Sequence, residues 1–222
     1  MEVERQHPRA QGGRGGGCTH LGECRRLEGG LGTAARTARE RILETAEDLF
    51  YREGIRAVGI DTIIEKSGVA KMSLYRSFPS KDDLVAAYLE MRSARYWKWW
   101  DDVMARHPDQ PRRQLHDLFE GLVHRVRRPE FRGCAFVNAA TEFPDKTSRA
   151  RAVALAHKDE LRRRLLKLAA GVGAAHPKAL ANQLLMLIDG IYSTVGVLER
   201  HDAIKAVAQA ADVLIDAAIE AA

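Results

Sequence analysis

Cysteine is nearly absent. The 222 residues hold three, Cys18, Cys24 and Cys134, and an odd, small number does not describe a disulfide framework. Long apolar runs are missing too. None approaches the roughly 18 residues that a membrane-crossing helix needs, and the N-terminus has no continuous apolar stretch of the kind a secretory signal carries. Strand-like alternation of useful length is also lacking. These absences point away from a disulfide scaffold, a membrane protein and a sheet, and leave a cytoplasmic, reduced, helical protein as the expectation. Hydrophobic residues make up 45% of the chain and charged residues 29%, a globular composition with enough length for one large domain or two small ones. The formal net charge of +5 fits a polyanionic partner without demanding one.

The chain divides by composition. Residues 1–33, with "QGGRGGGCTHLGECRRLEGGLG", are Gly-rich and poor in apolar side chains, so they bury too little surface to offset backbone entropy and read as a flexible arm. Cys18, His20 and Cys24 match no common zinc spacing and lack an evident fourth ligand, so no metal is expected there. From Arg36 the pattern becomes helical. Ile42, Leu43, Ala46, Leu49 and Phe50 recur at spacings of three and four, and Gly54 follows as a C-terminal cap. Helices are predicted over 60–67, with Gly59 at the N-cap and Asp61 in the first turn, and over 71–77, with Gly68 making the turn between them. Pro79 ends that pair, and Ser80 caps a long helix to about Arg106. Five more follow: Pro111 to about Arg128, Cys134 to Phe143 (stopped by Pro144), Thr147 to Ala170, Pro177 to about Arg200, and a last one capped by Asp202. The fold class is therefore all-α, with short linkers as in a compact bundle.

Residues 60–78 are two short helices joined by a Gly-containing turn, a helix-turn-helix. Val69, Leu74 and Phe78 hold the second helix on the core. Lys71 and Tyr75 are four apart and face outward together, as do Met72 and Arg76. Cationic donors and one aromatic thus line the free side of a helix short enough for a DNA major groove. Lys81, just past the N-terminus of the next helix, adds a cation beside a phosphate-binding helix end.

The segment "RERILETAEDLFYREGIRAVGIDTIIEKSGVAKMSLYRSFPSKDDLVAAYLE" closely resembles the DNA-binding domain of TetR-family transcriptional regulators. Gly54, Gly68-Val69, Leu74-Tyr75, Phe78, Ser80-Lys81 and Leu84 fall at the family spacing. The resemblance implies a DNA-binding domain at 34–80 and a ligand-binding and dimerising domain at 81–222. It implies that Lys71, Met72, Ser73 and Arg76 approach base edges or adjacent phosphates and that Tyr75 and Lys81 grip phosphates. It further implies that Thr62, Arg36 and Thr37 touch the DNA backbone or minor groove. Gly59 and Ala70 depart from the family pattern, each standing where a side-chain cap is frequent, and Ile64 stands where a small Ala is usual.

The remainder carries its own signals. The last two helices are apolar almost all round, which asks for cover on more than one side and points to a homodimer built through them, the geometry that a helix-turn-helix reading a pseudo-palindrome needs. Polar residues interrupt apolar stripes at Cys134, Asn138, Thr141 and His157, while Tyr96, Trp97, Trp100 and Phe119 supply aromatic mass. Together they suggest an apolar cavity with a few placed polar groups, a small-molecule site. The expected function is a repressor released from its operator by a small, largely apolar ligand. A ligand-independent regulator or an activator of the same fold is the alternative. An enzyme fits less well: "HKDEL" at 157–161 lacks the second His of a zinc motif, no phosphate loop or cofactor motif is present, and Cys134 with His157 has no orienting third group.

Overall fold

The computed structural model describes residues 36–143, 145–195 and 201–221. The expectations for the arm at 1–33, including Cys18, His20 and Cys24, and for the Pro144 stop lie outside those residues. Nine helices are present among the described residues: α1 (Ala38–Glu53), α2 (Ile60–Ser67), α3 (Lys71–Ser77), α4 (Lys81–Met104), α5 (Pro111–Val126), α6 (Ala135–Glu142), α7 (Arg149–Gly171), α8 (Pro177–Thr194) and α9 (His201–Glu220). No helix among them is long and apolar enough to cross a membrane.

Local chemistry explains most of the boundaries. Thr37 and Glu40 form a reciprocal capping box at the start of α1, which satisfies two of the orphan N–H groups of its first turn. Gly68 ends α2 in the left-handed region, at φ +62°. A Cβ there would come within 2.9 Å of the Arg41 guanidinium, which itself donates to the Ser67 carbonyl at 2.6 Å. Neither Gly59 nor Ala70 makes a side-chain cap, so α2 and α3 are held by packing. The predicted start of the seventh helix at Thr147 moves to Arg149, because Ser148 is the cap and accepts from Arg151 N, while Thr147 turns back onto Asp145. The last helix already includes Asp202 within its first turn. Asp202 therefore does not precede the helix as expected, and its side chain lies outside the described residues.

Packing forms two apolar clusters. One joins Ile42, Leu49, Phe50, Ile63 and Leu74 of the first three helices, and Phe78 just after them, to Leu84, Val85, Ala87, Tyr88 and Leu89 of α4, Phe136 and Ala139 of α6 and Ala150 and Ala154 of α7. The other gathers the second half of α4 with α5, α7, α8 and α9 around Trp100, Phe119, Leu122, Leu165, Leu184 and Ile215. The chain leaves the helix-turn-helix at residue 80, but its core does not end there. Leu84, Val85, Ala86, Ala87, Tyr88 and Leu89 are six consecutive buried residues, so the start of α4 is enclosed all round.

Polar bonds tie the same elements. Asp82 of α4 accepts from the Ser148 hydroxyl at 2.8 Å and from Arg149 N at 2.9 Å, capping α7 from outside. Glu142 of α6 accepts from Ile55 N and Arg56 N at 3.1 and 2.6 Å. On the far side, Arg112 of α5 pairs with Asp212 and Asp216 of α9, at 2.8 Å each. The apolar residues of α8 and α9 are thus largely satisfied within the chain, with Met186 and Val213 left outward at 61% and 67% exposure.

Replacing Asp82 by Ala removes an external cap from α7 and should cost about 1–2 kcal/mol. Urea unfolding should show a lower midpoint with an unchanged slope, whereas an unchanged midpoint would mean that α7 is capped adequately by Ser148 alone.

Candidate functional site

Two places carry functional groups. The first is the outer face of α2 and α3. Leu74, 1% exposed, pins α3 to the core, and with 3.6 residues per turn this turns Lys71, Met72, Tyr75 and Arg76 outward. All four are exposed, Met72 by 74% and Tyr75 by 43%. Ser73 is half-buried, and its carbonyl accepts from the Ser77 hydroxyl. Lys71 sits 3.4 Å from Asp61 in an exposed pair, a contact of little strength that a phosphate can displace. Thr62 is half-buried on α2. Arg36 reaches Glu44 at 2.6 Å. Thr37 spends its hydroxyl on the capping box.

Lys81, expected to grip a phosphate, is engaged within the chain. Its Nζ donates to the Val58 carbonyl at 2.6 Å and lies over the Phe50 ring at 6.0 Å. Partial burial holds its pKa below the usual lysine value, with the Glu142 carboxylate opposing. The long stem lets the amine reach back under the α1–α2 connection, so this cation pins a loop rather than standing free.

The second place is a cavity of about 430 Å³ where the two apolar clusters meet. Tyr51, Cys134 and Phe136 come from one side and Tyr96, Phe131 and Leu161 from the other, with Tyr192 packed against both clusters. Of the residues expected to line a site, Tyr96, Cys134 and His157 do so. Trp97 is one layer back, 4.8 Å from the His157 ring with Arg164 over its face at 4.4 Å. Trp100 and Phe119 are buried in the second cluster. Asn138 and Thr141 are exposed. Phe136 and Ala139 set the buried direction of α6, which leaves the other two about a third to half a turn away. Asn138 donates to the Arg132 carbonyl and edges a smaller cavity of about 190 Å³, and Thr141 bonds back to the Val137 carbonyl.

The wall is more polar than the pattern suggested. His157 is 5% exposed, stacks on Phe136 at 3.6 Å, and has its Nδ1 2.9 Å from the Ser93 hydroxyl. Burial lowers its pKa from 6.5 to about 3, helped by neighbouring Lys158, so the ring is neutral at physiological pH. Burial raises the Tyr96 pKa well above 10, and its hydroxyl has no hydrogen-bond partner among the described residues. Arg125 lies 4.5 Å over the Trp99 ring and 5.7 Å from that of Tyr96. The contributions of Tyr51, Arg125, Phe131 and Tyr192 were not visible in the sequence, because they come from four separate segments and none breaks its local pattern.

Among the described residues no group of His, Cys, Asp and Glu could hold a metal ion. The site thus consists of a short helix with an exposed, cationic face and a separate mixed cavity, which is the arrangement of a helix-turn-helix regulator. Comparison with known proteins agrees. The family model "Bacterial regulatory proteins, tetR family" matches residues 42–88. The crystal structure of the TetR-family regulator SCO4454 from Streptomyces coelicolor superimposes with a TM-score of 0.78 at 31% identity, covering 82% of this chain and 96% of that one. A TetR-type regulator of Streptomyces avermitilis gives 0.66 at 31% identity, over 80% and 99%. The chain belongs to the TetR family of transcriptional regulators, which are not enzymes. Among curated relatives, the HTH-type transcriptional regulators YxaF and YezE of Bacillus subtilis are 43% and 29% identical over 53 and 108 residues, or 23% and 46% of this chain. The chain spans 28% and 52% of their lengths.

The neutral His157 makes stability pH-dependent in a definite direction. Between its folded value of about 3 and the ordinary 6.5, the unfolded chain binds the extra proton, so this contribution is complete above pH 6.5 and is lost as pH falls. Unfolding free energies measured in urea should fall about 1.5–2 kcal/mol further between pH 6.5 and pH 5 in the wild type than in His157→Gln. Parallel pH profiles would show that the ring titrates normally.

Proposed function

We propose that this chain is a cytoplasmic, sequence-specific DNA-binding repressor that acts as a homodimer on a pseudo-palindromic operator and is released by a small molecule bound in the 430 Å³ cavity. The observation that carries the reading is the outward set Lys71, Met72, Tyr75 and Arg76 on a helix fixed from behind by Leu74. Such a helix inserts with its side chains toward base edges while flanking groups hold phosphates. Residues 34–80 serve DNA and 81–222 serve regulation and assembly in this reading, although the two share a core. Lys71, Met72, Ser73 and Arg76 take the base-facing roles. Tyr75, Thr62, Arg36 and Thr37 take the backbone roles. The exposed Met186 on α8 and Val213 on α9, with half-buried Leu187, Leu214 and Ile219 beside them, supply the apolar surface for a second subunit. Family membership and the fold of the Streptomyces coelicolor regulator support the reading.

The test is selection of bound fragments from random DNA, followed by titration of the selected site. A pseudo-palindrome with half-sites about one helical turn apart is expected, and salt-insensitive or sequence-blind binding would contradict it. Arg76→Ala should cost about 1–3 kcal/mol on the selected site and little on random DNA. Asp61→Asn should act oppositely. It frees Lys71 and removes a like charge from the approaching phosphates, raising affinity for every sequence by up to roughly fivefold. An unchanged affinity in Asp61→Asn would place that carboxylate away from the DNA.

A further inference from the structure

The cavity has an electrostatic balance that names its ligand more closely. Four acids line it, and three are already neutralised: Glu44 by Arg36, Glu47 by Arg92 and Arg95, and Asp48 by Arg52. The fourth, Glu130, is exposed. Lys158 is paired with Asp189. Arg125 has no carboxylate within 4 Å among the described residues and lies at the Tyr96 and Trp99 rings. The Tyr96 hydroxyl, on a side chain 95% buried (5% exposed), is unpartnered. Of the lining ions without a partner among the described residues, Arg128 and Glu130 are both exposed, which leaves the half-buried Arg125 as the interior charge. The walls beside it are two aromatic pairs, Phe136 stacked on His157 at 3.6 Å and Phe131 against Tyr192 at 5.4 Å.

We propose that the cavity takes an aromatic carboxylate, with its carboxylate on the Arg125 guanidinium and its ring between the two aromatic pairs. This rests on the reading of the cavity as the effector site. A guanidinium presents a planar fork that matches a carboxylate. A cationic ligand finds three of the four lining acids already taken, the fourth exposed, and a guanidinium lying over the Trp99 and Tyr96 faces. A purely apolar ligand would cover the Arg125 guanidinium without giving it an anionic partner, which costs affinity. His157 is not the anion's partner, because burial keeps it uncharged.

The test uses full-length protein with 2-naphthoate, its neutral isostere 2-naphthamide, and decanoate, titrated by calorimetry at neutral pH. Naphthoate should bind about tenfold or more tighter than naphthamide, since the difference is a charge-assisted pair, and tighter than decanoate. Arg125→Gln should abolish the preference for naphthoate over naphthamide, and Arg125→Lys should keep part of it, which separates charge from loss of fold. Failure of naphthoate to bind at millimolar concentration, equal binding of naphthamide, or a preference that survives Arg125→Gln would each overturn the proposal. Binding of naphthoate with no release of the selected DNA would leave this assignment standing and remove the effector reading. Release of DNA by naphthamide as readily as by naphthoate would do the reverse.

Discussion

The structure depends on the enclosure of the first turns of α4. Six consecutive residues, Leu84 to Leu89, are buried, and a helix can bury consecutive residues only when other elements cover every face. The first three helices cover one side, and α6 and α7 cover the other. Two short helices without side-chain N-caps could not remain fixed by propensity alone. They are fixed because Ile63 and Leu74 complete a core whose larger share belongs to the rest of the chain. A one-sided enclosure would leave the helix-turn-helix as a tethered module, and nothing that happened in the cavity could reach it.

The cavity lies at the junction of this core with the second one. One of its walls is α1, the helix on which α2 and α3 pack. Phe136 stacks on His157 at one end of α6, and Glu142 at the other end holds the backbone of Ile55 and Arg56. Tyr51, at the end of α1, borders the cavity and accepts from Arg132 N while donating to the Gly133 carbonyl. In the proposed regulatory reading, a ligand that shifts α6 would act on the α1–α2 connection through the Glu142 bonds, as well as along α4. Packed cores move between discrete arrangements rather than deforming smoothly, and a ligand biases them only by its difference in affinity for the two.

Much of this was legible in the sequence. The fold class, the order of the helices and the bounds of α2 and α3 follow from apolar spacing, two glycines and Pro79. The outward set on α3 follows from where Leu74 must point. The cavity was less legible, for two physical reasons. Polar residues in an apolar stripe can serve a cavity or face solvent, and on α6 the volume of Phe136 decided the matter against Asn138 and Thr141. Conversely, Arg125 and Tyr192 sit in ordinary local patterns and acquire their roles only from the approach of α4, α5 and α8. Lys81 shows the same limit, because its stem is long enough to reach either solvent or Val58, and only the packed loop determines which.

The central claim is that the reading helices and the cavity walls belong to one cooperative unit. Native-state hydrogen exchange across a range of denaturant concentration measures it most directly, by comparing amides of Ala46–Phe50 in α1, Leu84–Leu89 in α4 and Leu161–Leu165 in α7. The account predicts that the three sets open with the same free energy and the same denaturant dependence. A separate, smaller opening of α1 to α3 that leaves α4 and α7 protected would contradict it.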